Sequence, residues 1–174
     1  SSEARAIGRA ASERGFDTMA KRLGGDDPIA DIVRAAKADP AKAYRDFSQT
    51  ASRYSKENQA LAWGVIGQFL AKKLDPNADD AYRLQQDLGY NELLSVESQE
   101  WKVRAGLRAK DWVLVKSAID GMNPAVRGKD PAWAYWYGRA LRAEGQDAKA
   151  KDYQDFLEKN ILKLNFKSFT QVVI

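Results

Sequence analysis

The side chains of this chain best suited to holding a ligand are aromatic and cationic. Trp63, Trp101, Trp112, Trp133 and Trp136, with Tyr135 and Tyr137, carry flat apolar rings on which a sugar stacks when a ring faces solvent. Trp133 and Trp136 are three residues apart and so share one face of a helix, with Tyr135 directed elsewhere. Arg104, Arg108, Arg139 and Arg142 carry guanidinium groups that pair with anions. The chemistry these types support is recognition: Trp112, Trp133 and Trp136 for the face of a glycan, and the four arginines for acidic groups attached to it. A plainer role competes at each position. Indoles fill seams between helices, burying on the order of 200 Å² each, and arginine stems cover apolar seams while their heads pair with nearby acids such as Glu100 or Glu144.

Other chemistry is removed by composition. Histidine and cysteine are both absent, which excludes Ser/His/Asp and Cys/His nucleophile arrangements, disulfides and most zinc sites. No glycine-rich phosphate loop occurs. The paired acids Asp26-Asp27 and Asp79-Asp80 lack the alternating layout of a calcium loop and read as helix caps. Neither a metal nor a cofactor is expected. The formal charge of +4 comes from 28 basic and 24 acidic residues interleaved along the chain, whereas a nucleic-acid reader gathers its charge in a stripe, so no nucleic-acid partner is expected. No apolar run approaches the roughly 18 residues of a membrane span. The start, Ser1-Ser2-Glu3-Ala4-Arg5, lacks the basic-then-apolar layout of a secretion signal.

The elements that position these residues are written as helices. All five prolines follow an Asx residue, at Asp27-Pro28, Asp39-Pro40, Asp75-Pro76, Asn123-Pro124 and Asp130-Pro131. An Asx side chain accepts from the free N–H groups of a first turn, and proline in that turn has no N–H to leave unsatisfied. Each pair therefore predicts a helix start. Apolar residues at helical spacing predict helices over 3–23 with a break at Gly15, 28–38, 40–54, 56–74, 76–88, 96–110, 112 onward and 131–144, and another from Asp147 bearing Ala150, Tyr153, Phe156 and Leu157. Ser55, Ser95 and Asp111 are further caps, Asn123 to Lys129 is a turn, and Gly145 is a left-handed stop. Gly64 and Gly67, which cost helix propensity, mark close approach of a neighbouring helix.

Leu-Arg-Ala recurs at 107–109 and 141–143, an offset of 141 − 107 = 34 residues, and each copy lies next to a helix end. A period near 34 with two helices per unit is the spacing of tetratricopeptide-like arrays, in which each pair buries its apolar face on the next. The expected fold is all-α: a superhelix or solenoid of antiparallel helix hairpins with about 9–11 helices, a domain over 1–160 and a tail over 161–174 whose structure period alone does not decide.

The wording is more specific than the period. Trp101-x-x-Arg104-x-x-Leu107-Arg108-Ala109-x-Asp111-Trp112, then Ala118-Ile119-Asp120-x-Met122, then Asp130-Pro131-x-Trp133-x-Tyr135-Trp136-x-x-Arg139-Ala140-Leu141 resembles the all-helical superhelix of the soluble lytic murein transglycosylases. The resemblance is strongest from Ser95 to Tyr153 and legible upstream in Gly24-Gly25-Asp26-Asp27-Pro28 and Ala35-x-x-Ala38-Asp39-Pro40. In the tail the family pattern leads to Asn-Phe-Tyr-Gly, and this chain departs from it with Asn165-Phe166-Lys167-Ser168.

That resemblance implies a bacterial periplasmic protein and peptidoglycan as partner. It also implies a whole enzyme that cleaves the link between N-acetylmuramic acid and N-acetylglucosamine to leave an anhydro end. In the family the helical ring shapes access to a lysozyme-like catalytic domain and is inert alone. The family places its acid glutamate immediately before a serine, as in Glu97-Ser98. The accompanying Gly-Leu-Met-Gln and Ala-x-x-Tyr-Asn stretches do not occur here, and Glu97 reads as a first-turn acid behind the Ser95 cap. No catalytic residue is therefore assigned. The alternative is a tetratricopeptide-like module that holds a peptide or protein on a concave face.

Overall fold

The structure, a computed structural model, describes residues 27–146, 149–152 and 155. The predicted helix over 3–23 and the tail over 161–174 lie outside the described residues, as do Asp147, Tyr153, Phe156 and Leu157. The described residues are helical with no strand, so the chain is all-α there. None of the described helices is long and apolar enough to cross a membrane. The chain divides into two compact units, 1–95 and 96–174.

The first unit is built on one central helix. α1 (Ala30–Ala38) and α2 (Pro40–Thr50) are joined through the single residue Asp39, whose carboxylate accepts from Lys42 N at 3.1 Å. The stretch predicted as helical to Tyr54 tightens into a 3-10 turn over Ala51–Arg53. Ser55 then caps α3 (Lys56–Lys72), accepting from Asn58 N at 3.2 Å. α4 (Asn77–Leu88) follows, with Asp75 accepting from Asn77 N at 2.8 Å. α1, α2 and α4 all pack on α3.

Enclosure explains why α3 is buried without interruption from Ala60 to Gln68 and not along a single stripe. Gly64 and Gly67 make it fit. A Cβ at Gly67 would stand 2.9 Å from the Tyr82 ring, and one at Gly64 would stand 2.5 Å from Leu94 Cδ2. Trp63 is 4% exposed, with Phe47 and Tyr44 edge-on to it at 4.9 and 5.7 Å between centroids. It is a core residue of this unit. Tyr44 also donates its phenol to Asp80 on α4.

The second unit carries the repeated wording. α5 (Val96–Ala109) and α6 (Trp112–Asp120) pack together as a hairpin across Lys110 and Asp111. Asp111 serves both: its N–H donates to Gly106 O at 2.8 Å to close α5, and its carboxylate accepts from Leu114 N at 3.2 Å to open α6. The stretch from Asn123 contains a four-residue helix, α7 (Pro124–Arg127), capped by Asn123. α8 (Pro131–Ala143), capped by Asp130, packs on α6. Gly145 takes φ +77° just past its end, and Ala150 beyond it is buried. Val103 and Leu107 from α5, Val115, Ala118 and Ile119 from α6, and Trp133 and Ala140 from α8 form one core.

Candidate functional site

The second unit brings together most of the residues singled out for recognition, and it sorts them by depth. Trp133 is 4% exposed and belongs to the core, because the first turn of α8 faces α6. Trp112 and Trp136 are half-buried, each with part of its ring against that core. Trp136 meets Tyr135 edge-on at 4.9 Å between centroids.

Arg139 is exposed, and its position is fixed by its neighbours. One guanidinium nitrogen donates to the Tyr135 hydroxyl at 3.1 Å, and the group lies 6.0 Å from the centroids of both the Tyr135 and Trp112 rings. That spacing is at the outer limit of a cation–π contact. Arg104 is half-buried, 4.6 Å above the Trp101 ring. Arg108 and Arg142 are exposed near the ends of α5 and α8. Glu144 accepts an ion pair from Lys116 at 2.6 Å, tying α6 to the end of α8.

A cleft of about 510 Å³ opens in the same unit. Its apolar walls are Ile119, Pro124, Trp133, Ala134 and Tyr137, and Arg127 and Asp152 add one charge of each sign. The Tyr137 hydroxyl donates to Asp120 Oδ2 at 3.1 Å, which holds that wall in place.

The acids are placed as follows. Glu97 is exposed in the first turn of α5, where the positive end of the helix dipole favours a carboxylate. Glu100, one turn on, has its acid strength lowered: burial raises its pKa, opposed by Arg104 and reinforced by Glu97 and Asp130. Two residues on, Lys102 is 1% exposed, and loss of solvent lowers its ammonium from the ordinary 10.5 to about 7. Ser98, Gln99 and Lys102 form a buried polar face of α5, and the Gln99 amide donates to Gly121 O at 3.0 Å. Among the described residues no group of three or more acids is arranged to hold a metal ion.

Lys102, Arg127 and Asp152 were not singled out in the sequence. Lys102 lies three residues from Gln99 and next to Val103, so its place on a buried face is legible only once α5 is known to be enclosed there. Arg127 and Asp152 are 25 residues apart and carry no mutual signal. No family model matches the chain, and no curated protein matches it.

Proposed function

We propose that this chain is a helical scaffold segment of a soluble lytic murein transglycosylase. In this reading, antiparallel helix pairs of tetratricopeptide type stack into a periplasmic superhelix that contacts peptidoglycan. The glycosidic chemistry belongs to the lysozyme-like domain of the whole enzyme, and the segment is inert by itself.

The supporting observation is that two helices with the repeated wording end in the same way. α5 closes with Lys110 at φ +56° and Asp111 N–H bonded to Gly106 O at 2.8 Å, and α8 closes with Gly145 at φ +77° and Gln146 N–H bonded to Leu141 O at 2.8 Å. These closures are 145 − 110 = 35 residues apart, the separation that also relates Trp101 to Trp136 and Arg104 to Arg139. Leu107 and Leu141 are both buried and Arg108 and Arg142 both exposed, one residue closer at 34. The 35-residue register holds from Arg104 and Arg139 to the closures, so the two Leu-Arg-Ala copies stand one residue out of step within two similar helices.

The test is incubation of the purified chain with cell-wall sacculi, with soluble products separated and identified. Sedimentation of the chain with sacculi and no release of anhydro-muropeptides is the expected result. Release that Glu97→Gln abolishes would instead make the chain a free-standing lytic enzyme.

A second reading, a tetratricopeptide-like peptide module, is favoured by the exposed guanidinium groups of Arg108, Arg139 and Arg142, which suit an acidic peptide. One saturable peptide partner on an array, with no affinity for sacculi, selects it.

A further inference from the structure

The cleft of the second unit combines features that its neighbours in the fold do not require. Its volume of about 510 Å³ lies within the roughly 300–1,000 Å³ of small-ligand sites. Ile119, Trp133 and Tyr137 give it an apolar floor and wall. Arg127 and Asp152 line the same space, yet no ion pair joins them to each other or to any other described residue. Both charges therefore border one largely apolar space. A ligand with an anionic and a cationic end and an apolar middle would satisfy both charges and cover the floor.

We infer that this cleft binds a short zwitterionic peptide, with its carboxylate on Arg127, its ammonium on Asp152 and an apolar side chain against Trp133 and Tyr137. The fork of a guanidinium matches a carboxylate with two parallel hydrogen bonds. A carboxylate such as Asp152 accepts through its two oxygens from any of an ammonium's three N–H donors. The hydrogen bond from Tyr137 to Asp120 holds the aromatic wall in place, which limits the ordering needed on binding. This inference stands apart from the scaffold reading, since it concerns free peptide and requires no glycan.

The experiment uses the full chain, isotope-labelled, and follows its indole N–H signals by NMR during titration with leucyl-leucine, its N-acetyl derivative and its C-terminal amide. The expected result is a saturable shift of the Trp133 indole signal, identified with Trp133→Phe, with the free dipeptide binding about tenfold or more tightly than either blocked form. Arg127→Gln should weaken the free dipeptide toward the level of the amide and leave the amide unchanged. Asp152→Asn should do the same with respect to the N-acetyl form. The blocked-ligand series runs on the unaltered protein and does not depend on the variants folding. Absence of a saturable shift, or equal affinity for the free and blocked dipeptides, overturns the inference. Neither result bears on sedimentation with sacculi.

Discussion

Replacing Lys102 by Met should make the protein more stable at neutral pH and less stable in strong alkali. Lys102 is 1% exposed, and desolvation lowers its pKa from 10.5 to about 7. The difference, 10.5 − 7, is about 3.5 units, and at about 1.4 kcal/mol per unit it corresponds to a gross cost near 5 kcal/mol for burying the charged form. Methionine keeps the unbranched stem and removes the charge. It also removes the ammonium as a donor, and an acceptor left without it costs about 1–3 kcal/mol. The net gain below pH 7 is then about 2–4 kcal/mol.

Between about 7 and 10.5 the unfolded chain holds the proton and the native protein does not. Stability of the unaltered protein therefore rises with pH through this window, by up to about 1.4 kcal/mol per pH unit relative to the variant. Near the upper end the charge penalty has vanished and only the lost hydrogen bond remains, so the two proteins should cross. The assay is urea denaturation of both at a series of pH values, followed by tryptophan fluorescence. Taking the difference between the proteins removes every other titrating group that the substitution leaves alone. Parallel stability curves from pH 6 to 10, or a variant less stable throughout, would refute the account of Lys102 as a desolvated ammonium.

Three further outcomes are expected. Gly67→Ala should destabilise by about 1–2 kcal/mol in spite of its better helix propensity, because the new Cβ meets the fully buried Tyr82 ring at 2.9 Å; thermal unfolding checks it. The Tyr44 phenol, bonded to Asp80 and partly desolvated, should titrate near 12. Its raised value keeps the proton on the native protein, so stability should decline between pH 10 and 12 in the unaltered protein and not in Tyr44→Phe, as read by ultraviolet titration and denaturation. Lys110→Gly should stabilise by up to about 1 kcal/mol, since Lys110 is exposed at φ +56° and glycine relieves the left-handed strain; a midpoint shift in urea tests it.

Local signals are legible in the sequence where their physics is local. Asp27, Asp39, Asp75, Asn123 and Asp130 each accept a backbone N–H two or three residues on, because an Asx–Pro pair fixes its own turn whatever packs above it. Gly64 and Gly67 read as close approaches, since nothing else offsets two glycines inside one helix. Burial was less legible. α3 is enclosed by three partners, and that enclosure depends on elements distant in the chain. The helix ends at Leu74 and Lys110 are legible from the caps that follow them, but not the left-handed φ of +57° and +56° with which each closes, because neither is a glycine. The cleft combines residues from 119 to 152, and its charges have meaning only together.

The way indoles and guanidiniums share space in the second unit bears on what ligand its aromatic surface would accept. A neutral sugar stacks on an indole through its apolar face and needs that face uncovered. Trp133 is in the core, and Trp101 has the Arg104 guanidinium 4.6 Å from its centroid. Trp112 has Arg139 near its ring, held in turn by the Tyr135 hydroxyl. A sugar approaching Trp112 from that side would meet the Arg139 guanidinium, held by one hydrogen bond to Tyr135 with two rings at the outer limit of contact. An anion faces the opposite balance: it can pair with Arg139 where it stands, with the aromatic rings as backing that excludes water from one side. On this reasoning the surface around Trp112 suits an acidic group better than the face of a neutral sugar, and Trp112 and Tyr135 flank Arg139.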